Sequence, residues 1–335
     1  MNIILHIGPA KTGTTSIQSF LNSAQQELLS DSFLYPSKGR PEAGVSYQVK
    51  INERDARSRR FASKKGPHIA HHLLAWTLAG TNQNITAKSC WSDTLNEIES
   101  VNPKTVFISS EDFAWLSEGQ LQTLRALLKG YSVKVLIYFR NPFNWLLSRY
   151  NQTVKKGRYH RSFRAFMQNQ SFHYISYEHL MKRYVGAFGQ TNVDLRLFEK
   201  IKRHDTLEND LIHMLDLDAS KYGKYIPSEK HNVSLASDIM NMLRSINFYQ
   251  HYFRPQSMHS YRFKKTRSKI IRKRKAYRKL NRIGKPYFNR PLYRQKDLRI
   301  YSTLTEEWLP EFLRQYLDPE DWQYYKSRAF DQENG

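Results

Sequence analysis

At 335 residues the chain is long enough to bury a sizeable core, and its 40% hydrophobic and 13% aromatic content fits a globular protein rather than a disordered one. A single cysteine, Cys90, excludes an internal disulfide, and no apolar run approaches the roughly 18 residues of a membrane span. The net charge of +23 is regional: residues 261–299 carry 17 Lys and Arg against one acid, Asp297, which leaves only +7 for the rest of the chain.

In chain order, Ile3, Ile4, Leu5 and Ile7 form a short apolar run that predicts a buried strand. It leads into Gly8-Pro9-Ala10-Lys11-Thr12-Gly13-Thr14-Thr15-Ser16, after which Ile17, Phe20, Leu21, Ala24 and Leu28 recur at helical spacing. Strand, Gly-containing loop and helix is the arrangement that turns backbone N–H groups and a helix dipole toward one anion. Lys11 adds a positive charge to that nest, and Thr12, Thr14, Thr15 and Ser16 add hydroxyl donors. Phe33-Leu34-Tyr35-Pro36 reads as a short extended piece ended by proline. Residues 37–67, rich in Gly, Pro, Ser and Arg, read as a long loop forming a flap over the site.

His68 to Trp76 predicts a helix. Its three histidines invite a metal reading, but the sequence places no carboxylate or Cys beside His68 and His72 to complete a site, so no metal is expected. Thr105 to Ser109 predicts a second strand, ending in Ser110-Glu111-Asp112, and Leu121, Leu124, Leu127 and Leu128 mark the helix after it. Val133 to Phe139 predicts a third strand. At its end Asn141 suits a helix N-cap and Pro142 the first helical position, with Phe143, Leu146, Leu147, Tyr150 and Val154 on one face. Residues 177–188 read as helix and Val193 to Phe198 as a fourth strand. Strands alternating with helices predict an α/β fold with a central parallel sheet. In such sheets ligands sit beyond the carboxyl ends of the strands, where Lys11, Glu111 and Arg140 all fall.

A nucleotide P-loop requires Lys directly after its second Gly. Here Thr14 follows Gly13, and Lys11 comes two residues before that Gly. Lys-Thr-Gly-Thr-Thr-Ser after an N-terminal strand resembles the 5′-phosphosulfate loop of sulfotransferases that use 3′-phosphoadenosine 5′-phosphosulfate (PAPS). Arg140-Asn141-Pro142, followed by Ser148 eight residues after the Arg, resembles the 3′-phosphate motif of the same enzymes. A planar guanidinium grips phosphate in bidentate fashion. The resemblance covers roughly residues 1–200, with its sharp motifs at 8–16 and 140–148. It implies a three-layer, P-loop-like α/β fold and a single domain over 1–335, with the α/β core in 1–200 and a helical, basic part in 201–335. It further implies that Lys11, Thr12, Gly13, Thr14, Thr15 and Ser16 bind the phosphosulfate end, that Arg140 and Ser148 bind the 3′-phosphate, and that 3′,5′-ADP (PAP) is the product. Lys230-His231-Asn232-Val233-Ser234 precedes another helix and is a candidate to close over the nucleotide, although it lacks the Arg-Lys-Gly sequence of the cytosolic small-molecule enzymes.

Sulfuryl transfer needs an acceptor oxygen in line with sulfur, a base for its proton and charge stabilisation on the leaving nucleotide. Lys11 is the candidate to stabilise the bridging oxygen. Glu111 stands where, by the resemblance, cytosolic sulfotransferases carry their catalytic His, and several carbohydrate sulfotransferases use Glu as base. Glu111 is therefore the first candidate base, His68 the second and Asp112 the third. The expected acceptor is a hydroxyl of a carbohydrate or glycoconjugate. Neither a basic n-region at the start nor a membrane anchor is visible, which sets the expectation of a soluble, bacterial-type cytoplasmic enzyme.

The basic stretch 261–299 interleaves aromatics with Lys and Arg, with Ile270, Tyr277, Leu280 and Ile283 as a narrow apolar edge. It is expected to dock a polyanion or an anionic membrane at the inner face, with nucleic acid ranked behind these. The competing readings are a P-loop-type kinase, which the displaced Lys11 opposes, and a polyanion- or membrane-binding protein whose sheet is only a scaffold.

Overall fold

A computed structural model describes residues 1–43, 45–52, 55–62, 68–80, 86–169, 177–227, 235–253, 261–273, 292, 314, 317 and 319–322. The expected segment 230–234 and the edge residues Tyr277, Leu280 and Ile283 lie outside these. The chain divides into two compact units. The first comprises Met1–Arg140, Ile175–Glu229 and Glu311–Trp322, and the second the remaining residues.

Among the described residues the first unit contains seven strands: β1 (Asn2–His6), β2 (Phe33–Leu34), β3 (Ser46–Asn52), β4 (Asp55–Ala62), β5 (Thr105–Ser109), β6 (Ser132–Phe139) and β7 (Val193–Leu197). Five of them form one parallel sheet in the order β2-β5-β1-β6-β7. The expected α/β class with a central parallel sheet is what the structure has. Residues Ile3, Leu5, His6 and Ile7 are fully buried. A parallel strand covered on both faces needs such a continuous apolar run rather than an alternating one. Helices lie on both faces. Leu136 and Tyr138 of β6 share a buried cluster with Ile17, Phe20 and Leu21 of the helix Thr14–Ser23 and Leu207 and Leu211 of the helix Leu207–Met214. Phe139, one residue on and therefore on the opposite face, packs against Tyr177 of the helix Tyr177–Phe188 at 4.3 Å between ring centroids.

This topology places the site. From central β1 the chain crosses to outer β2, returns through β5 beside β1, and then passes to β6 on β1's other side. The reversal opens a crevice at the carboxyl end of β1. His6 pairs with Ser109 on one flank and Leu136 on the other, and Ser110 N–H donates to the His6 carbonyl at 3.1 Å. The segments after β1, β5 and β6 thus leave the sheet side by side.

Two expectations need correction. The stretch 37–67 is not wholly loop, because β3 and β4 pair as an antiparallel hairpin. Tyr47 of that hairpin is buried, 5.5 Å from the Trp76 ring. The helix expected from His68 begins only at His72. His71 is committed elsewhere: its backbone N–H donates to Ser109 O at 2.9 Å, its Nδ1 accepts from Ser109 N–H at 3.1 Å, and its Nε2 contacts Pro36 O at 2.9 Å.

The second unit is helical among its described residues. Asn141 caps the helix Pro142–Lys155 by accepting from the N–H groups of Phe143 and Asn144, as its sequence implies. Phe143, Tyr150, Phe163 and Phe166 form an aromatic core with ring separations of 5.2–5.6 Å. Asn247 of the helix Ser237–Phe253 donates to Val154 O and Tyr159 O, both at 2.9 Å. The basic helix Tyr261–Arg272 is anchored by Ile270 and by Arg267, whose Nη1 donates to Gln250 Oε1 at 2.5 Å. Among the described residues no helix is long and apolar enough to cross a membrane.

Candidate functional site

The loop between β1 and the first helix is shaped by two residues in the left-handed region, Lys11 (φ 79°) and Gly13 (φ 85°). Glycine takes that conformation freely, whereas Lys11 holds it at a cost of about 1 kcal/mol. Two close approaches also fix where glycine is required. A Cβ on Gly8 would lie 2.9 Å from both His6 Nε2 and Thr12 Oγ1, and one on Gly13 would run into Leu207. Gly13 is the N-cap of the helix and supplies no side-chain acceptor to its first turn. The Thr14 and Thr15 N–H groups are thus left to an anion or solvent, reinforced by the helix dipole, while the Ser16 N–H donates to Gly13 O at 2.9 Å.

Three of the four hydroxyls expected to bind that anion donate within the protein instead. Thr12 Oγ1 donates to Pro9 O at 2.7 Å, Thr14 Oγ1 to Glu111 Oε2 at 3.2 Å, and Ser16 Oγ to the buried carboxylate of Glu208. Thr15 is exposed. Backbone amides therefore make up most of the anion-binding capacity of the loop, while the hydroxyls hold its shape.

His6 places a further polar group beneath the loop that the sequence did not reveal. It is fully buried, and burial drives its pKa down to about 3, so the ring is neutral. Gln18 Nε2 donates to Ser109 Oγ at 3.1 Å, and that hydroxyl lies 2.9 Å from His6 Nδ1. Ser109 Oγ has a second lone pair and one proton, so it either accepts from or donates to Nδ1, and the ring hydrogen sits on Nδ1 or Nε2 accordingly. Nε2 is buried without a partner, directly under Gly8. A buried ring nitrogen without a partner costs about 1–3 kcal/mol, and a polar group of a ligand at the loop would supply the missing partner.

Arg140 follows β6 and comes back to the loop. Its Nη1 donates to Lys11 O at 2.7 Å, its Nε lies 3.6 Å from Glu199 Oε1, and its guanidinium covers the Phe198 ring at 4.8 Å. Its backbone N–H donates to the hydroxyl of Tyr177 at 3.2 Å. The structure therefore brings Lys11, Glu111 and Arg140 into one hydrogen-bonded group. Ser148 lies half-buried on the helix Pro142–Lys155 in the second unit.

Beside Glu111 stands a pair that sequence reading passed over. His72 Nδ1 lies 2.8 Å from Asp112 Oδ2 and 2.9 Å from Ser110 Oγ. Trp76 donates its indole N–H to the same Asp112 oxygen at 2.8 Å and stacks on His72, with the rings 9° from parallel. Burial alone pulls the His72 pKa down. The hydrogen bond and charge of Asp112, with the charge of Glu111, outweigh it and hold the imidazole above 6.5. His68 meets His72 edge-on at 5.0 Å, and burial together with the His72 charge lowers its pKa. Among the described residues no group of three or more His, Cys, Asp or Glu is arranged to hold a metal ion.

No protein-family model matches the chain, and no curated protein matches it. A crystal structure of a sulfotransferase from Alicyclobacillus acidocaldarius is similar to it at 19% identity and a TM-score of 0.40, covering 75% of this chain and 91% of that one. A likeness at that level assigns no activity, so the functional reading rests on the residues themselves.

Proposed function

We propose that this protein is a sulfotransferase that moves a sulfuryl group from PAPS to an acceptor hydroxyl. The observation that carries the reading is the convergence of three strand ends: the loop after β1 receives the Arg140 guanidinium at Lys11 O and gives the Thr14 proton to Glu111. The donor nucleotide fits on two grounds. The loop leaves the Thr14 and Thr15 amides of the first helical turn without a side-chain cap, and the unpartnered His6 Nε2 lies beneath Gly8. When bound, PAPS supplies the activated sulfuryl group and a nucleotide leaving group.

In this reading the loop amides and Lys11 hold the 5′ end and stabilise the charge that builds on the bridging oxygen. Arg140 takes the 3′-phosphate. Glu199 is the carboxylate beside Arg140, and a phosphate competes with it for the same guanidinium. For the acceptor's proton the site offers Glu111 and His72. His72 has the arrangement of a general base: Nδ1 is held by a carboxylate, and Nε2 carries no hydrogen bond. We assign it that role, with Asp112 orienting it and Glu111 bracing the loop through Thr14. The acceptor we favour is a carbohydrate or glycoconjugate hydroxyl, supported by the carboxylate at the loop and by the basic 261–299 stretch.

Calorimetric titration with 3′,5′-ADP, ATP and 5′-AMP tests the reading. The expected result is a strong preference for 3′,5′-ADP that Arg140→Ala removes. Equal, Mg²⁺-dependent binding of ATP would turn the assignment to a kinase.

A further inference from the structure

Four of the seven large apolar side chains exposed among the described residues fall within six positions of one helix: Phe248 (48%), Tyr249 (47%), Tyr252 (53%) and Phe253 (67%). They occupy i, i+1, i+4 and i+5 at the end of Ser237–Phe253, while Leu243, Asn247 and Gln250 on the other side of the helix are buried. His160 meets the Phe248 ring at 5.8 Å and the Tyr252 ring at 5.5 Å, yet all four rings stay exposed, and an exposed aromatic stripe of this kind marks a contact surface.

What lies next to the stripe indicates its partner. Gln250, in the middle of the aromatic set, holds the buried Arg267 and so fixes the helix Tyr261–Arg272 alongside. Arg267 also lies against Gly157, where a Cβ would meet its guanidinium. Of residues 264–273, Arg267 and Ile270 are buried and Ile271 is half-buried, while Lys264, Lys269, Arg272 and Lys273 are exposed. From Ser237 to Lys273 the sequence has one acid, Asp238. Exposed rings and exposed cations thus belong to two helices tied together at one point.

We infer that this surface docks to an anionic lipid bilayer, with the rings entering the acyl boundary and the cations meeting the headgroups. The ring arrangement favours a bilayer over a dissolved polyanion. Phe248 packs on Tyr252 at 4.6 Å, and Tyr249 stacks on Phe253 at 5.3 Å. Tyr249 and Phe253 are stacked within 28° of parallel, and Phe248 and Tyr252 are tilted by 47°. Four such exposed rings beside the cations gain by entering an acyl boundary, whereas a dissolved polyanion would meet only the cations. The surface belongs to the second unit and does not depend on the chemistry proposed for the first.

The test is co-sedimentation of the full chain with phosphatidylcholine vesicles, with and without phosphatidylglycerol. Retention on heparin and on a single-stranded oligonucleotide is measured in parallel. Binding is expected only to the phosphatidylglycerol vesicles. Each of two double variants, Phe248→Ser with Phe253→Ser and Lys269→Glu with Lys273→Glu, is expected to weaken it by about tenfold or more. Circular dichroism checks that both variants are folded, as substitutions at exposed positions should be. Three results would overturn the inference: no binding to the anionic vesicles, undiminished vesicle binding by the Phe variant, or a Phe variant that loses heparin or oligonucleotide retention while keeping vesicle binding.

Discussion

The rim of the parallel sheet and the paired helices of the second unit treat polarity in opposite ways. Around the loop, polar side chains are inside and tied to one another: Thr12 to Pro9, Thr14 to Glu111, Ser16 to Glu208, and His72 to Asp112. On the helix pair, rings and cations are outside with solvent around them. A surface that acts on a small anion must hold its donors in place before the ligand comes, because mobile donors lose in ordering what they gain in contact. A surface that meets an extended partner needs area and charge, not fixed geometry. The two can therefore be perturbed separately.

The sharpest way to break the comparison is Asp112→Asn. If His72 is held in place for proton transfer, turnover with whichever hydroxyl acceptor is accepted should fall by roughly 10²–10⁴-fold with little change in 3′,5′-ADP affinity. The pH dependence gives a second reading. The base must be neutral, and Asp112 holds the His72 pKa above 6.5, so activity in the wild type should fall as pH drops through a value above 6.5. In the variant that acid limb should move to lower pH. A limb that stays in place, followed by NMR titration of His72, would remove Asp112 from the mechanism.

Gly13→Ala should come next in size. It forces a left-handed residue and pushes a methyl group into Leu207, so denaturant unfolding should show a loss of about 2–4 kcal/mol. Affinity for 3′,5′-ADP should fall with it, while vesicle binding stays unchanged. The smallest effect is expected from His6→Gln, measured as stability against pH. The unfolded chain protonates its histidines near 6.5, whereas folded His6 and His71 resist protonation down to about 3. Unfolded chains therefore bind more protons through that window, and stability falls with decreasing pH by about 1.4 kcal/mol per unit for each histidine. Replacing His6 should remove its share of that slope, and an unchanged slope would mean that His6 is charged when folded.

Strands β1, β5 and β6 were legible because a parallel strand covered on both faces is written as an uninterrupted apolar run, and each leads straight into its functional residue. The hairpin was read as loop: Tyr47, Val49 and Ile51 alternate with polar neighbours, but the surrounding Gly, Pro, Ser and Arg masked that short period. The partners of the site were not legible. Asp112 reaches His72 across 40 residues, and Glu208 reaches Ser16 across 192, contacts that only the sheet order creates. Phe248, Tyr249, Tyr252 and Phe253 have the spacing of a core stripe, and no local pattern says which stripes end up covered.

The position of β1 bears on how the protein is made. This strand is synthesised before the rest of its sheet, yet it is the centre of that sheet, and its neighbours are about a hundred residues or more away in the chain: Ser109 lies 103 residues beyond His6. Until β5 and β6 have been synthesised, Ile3 to Ile7 is an apolar segment with no strand to pair with. The loop waits longer still, since its turn is closed by Leu207 and Glu208. Ile3 to Ile7 is thus apolar surface without a partner strand early in translation, and a chain released before residue 208 would carry the Gly8–Ser16 sequence without the contacts that close its turn.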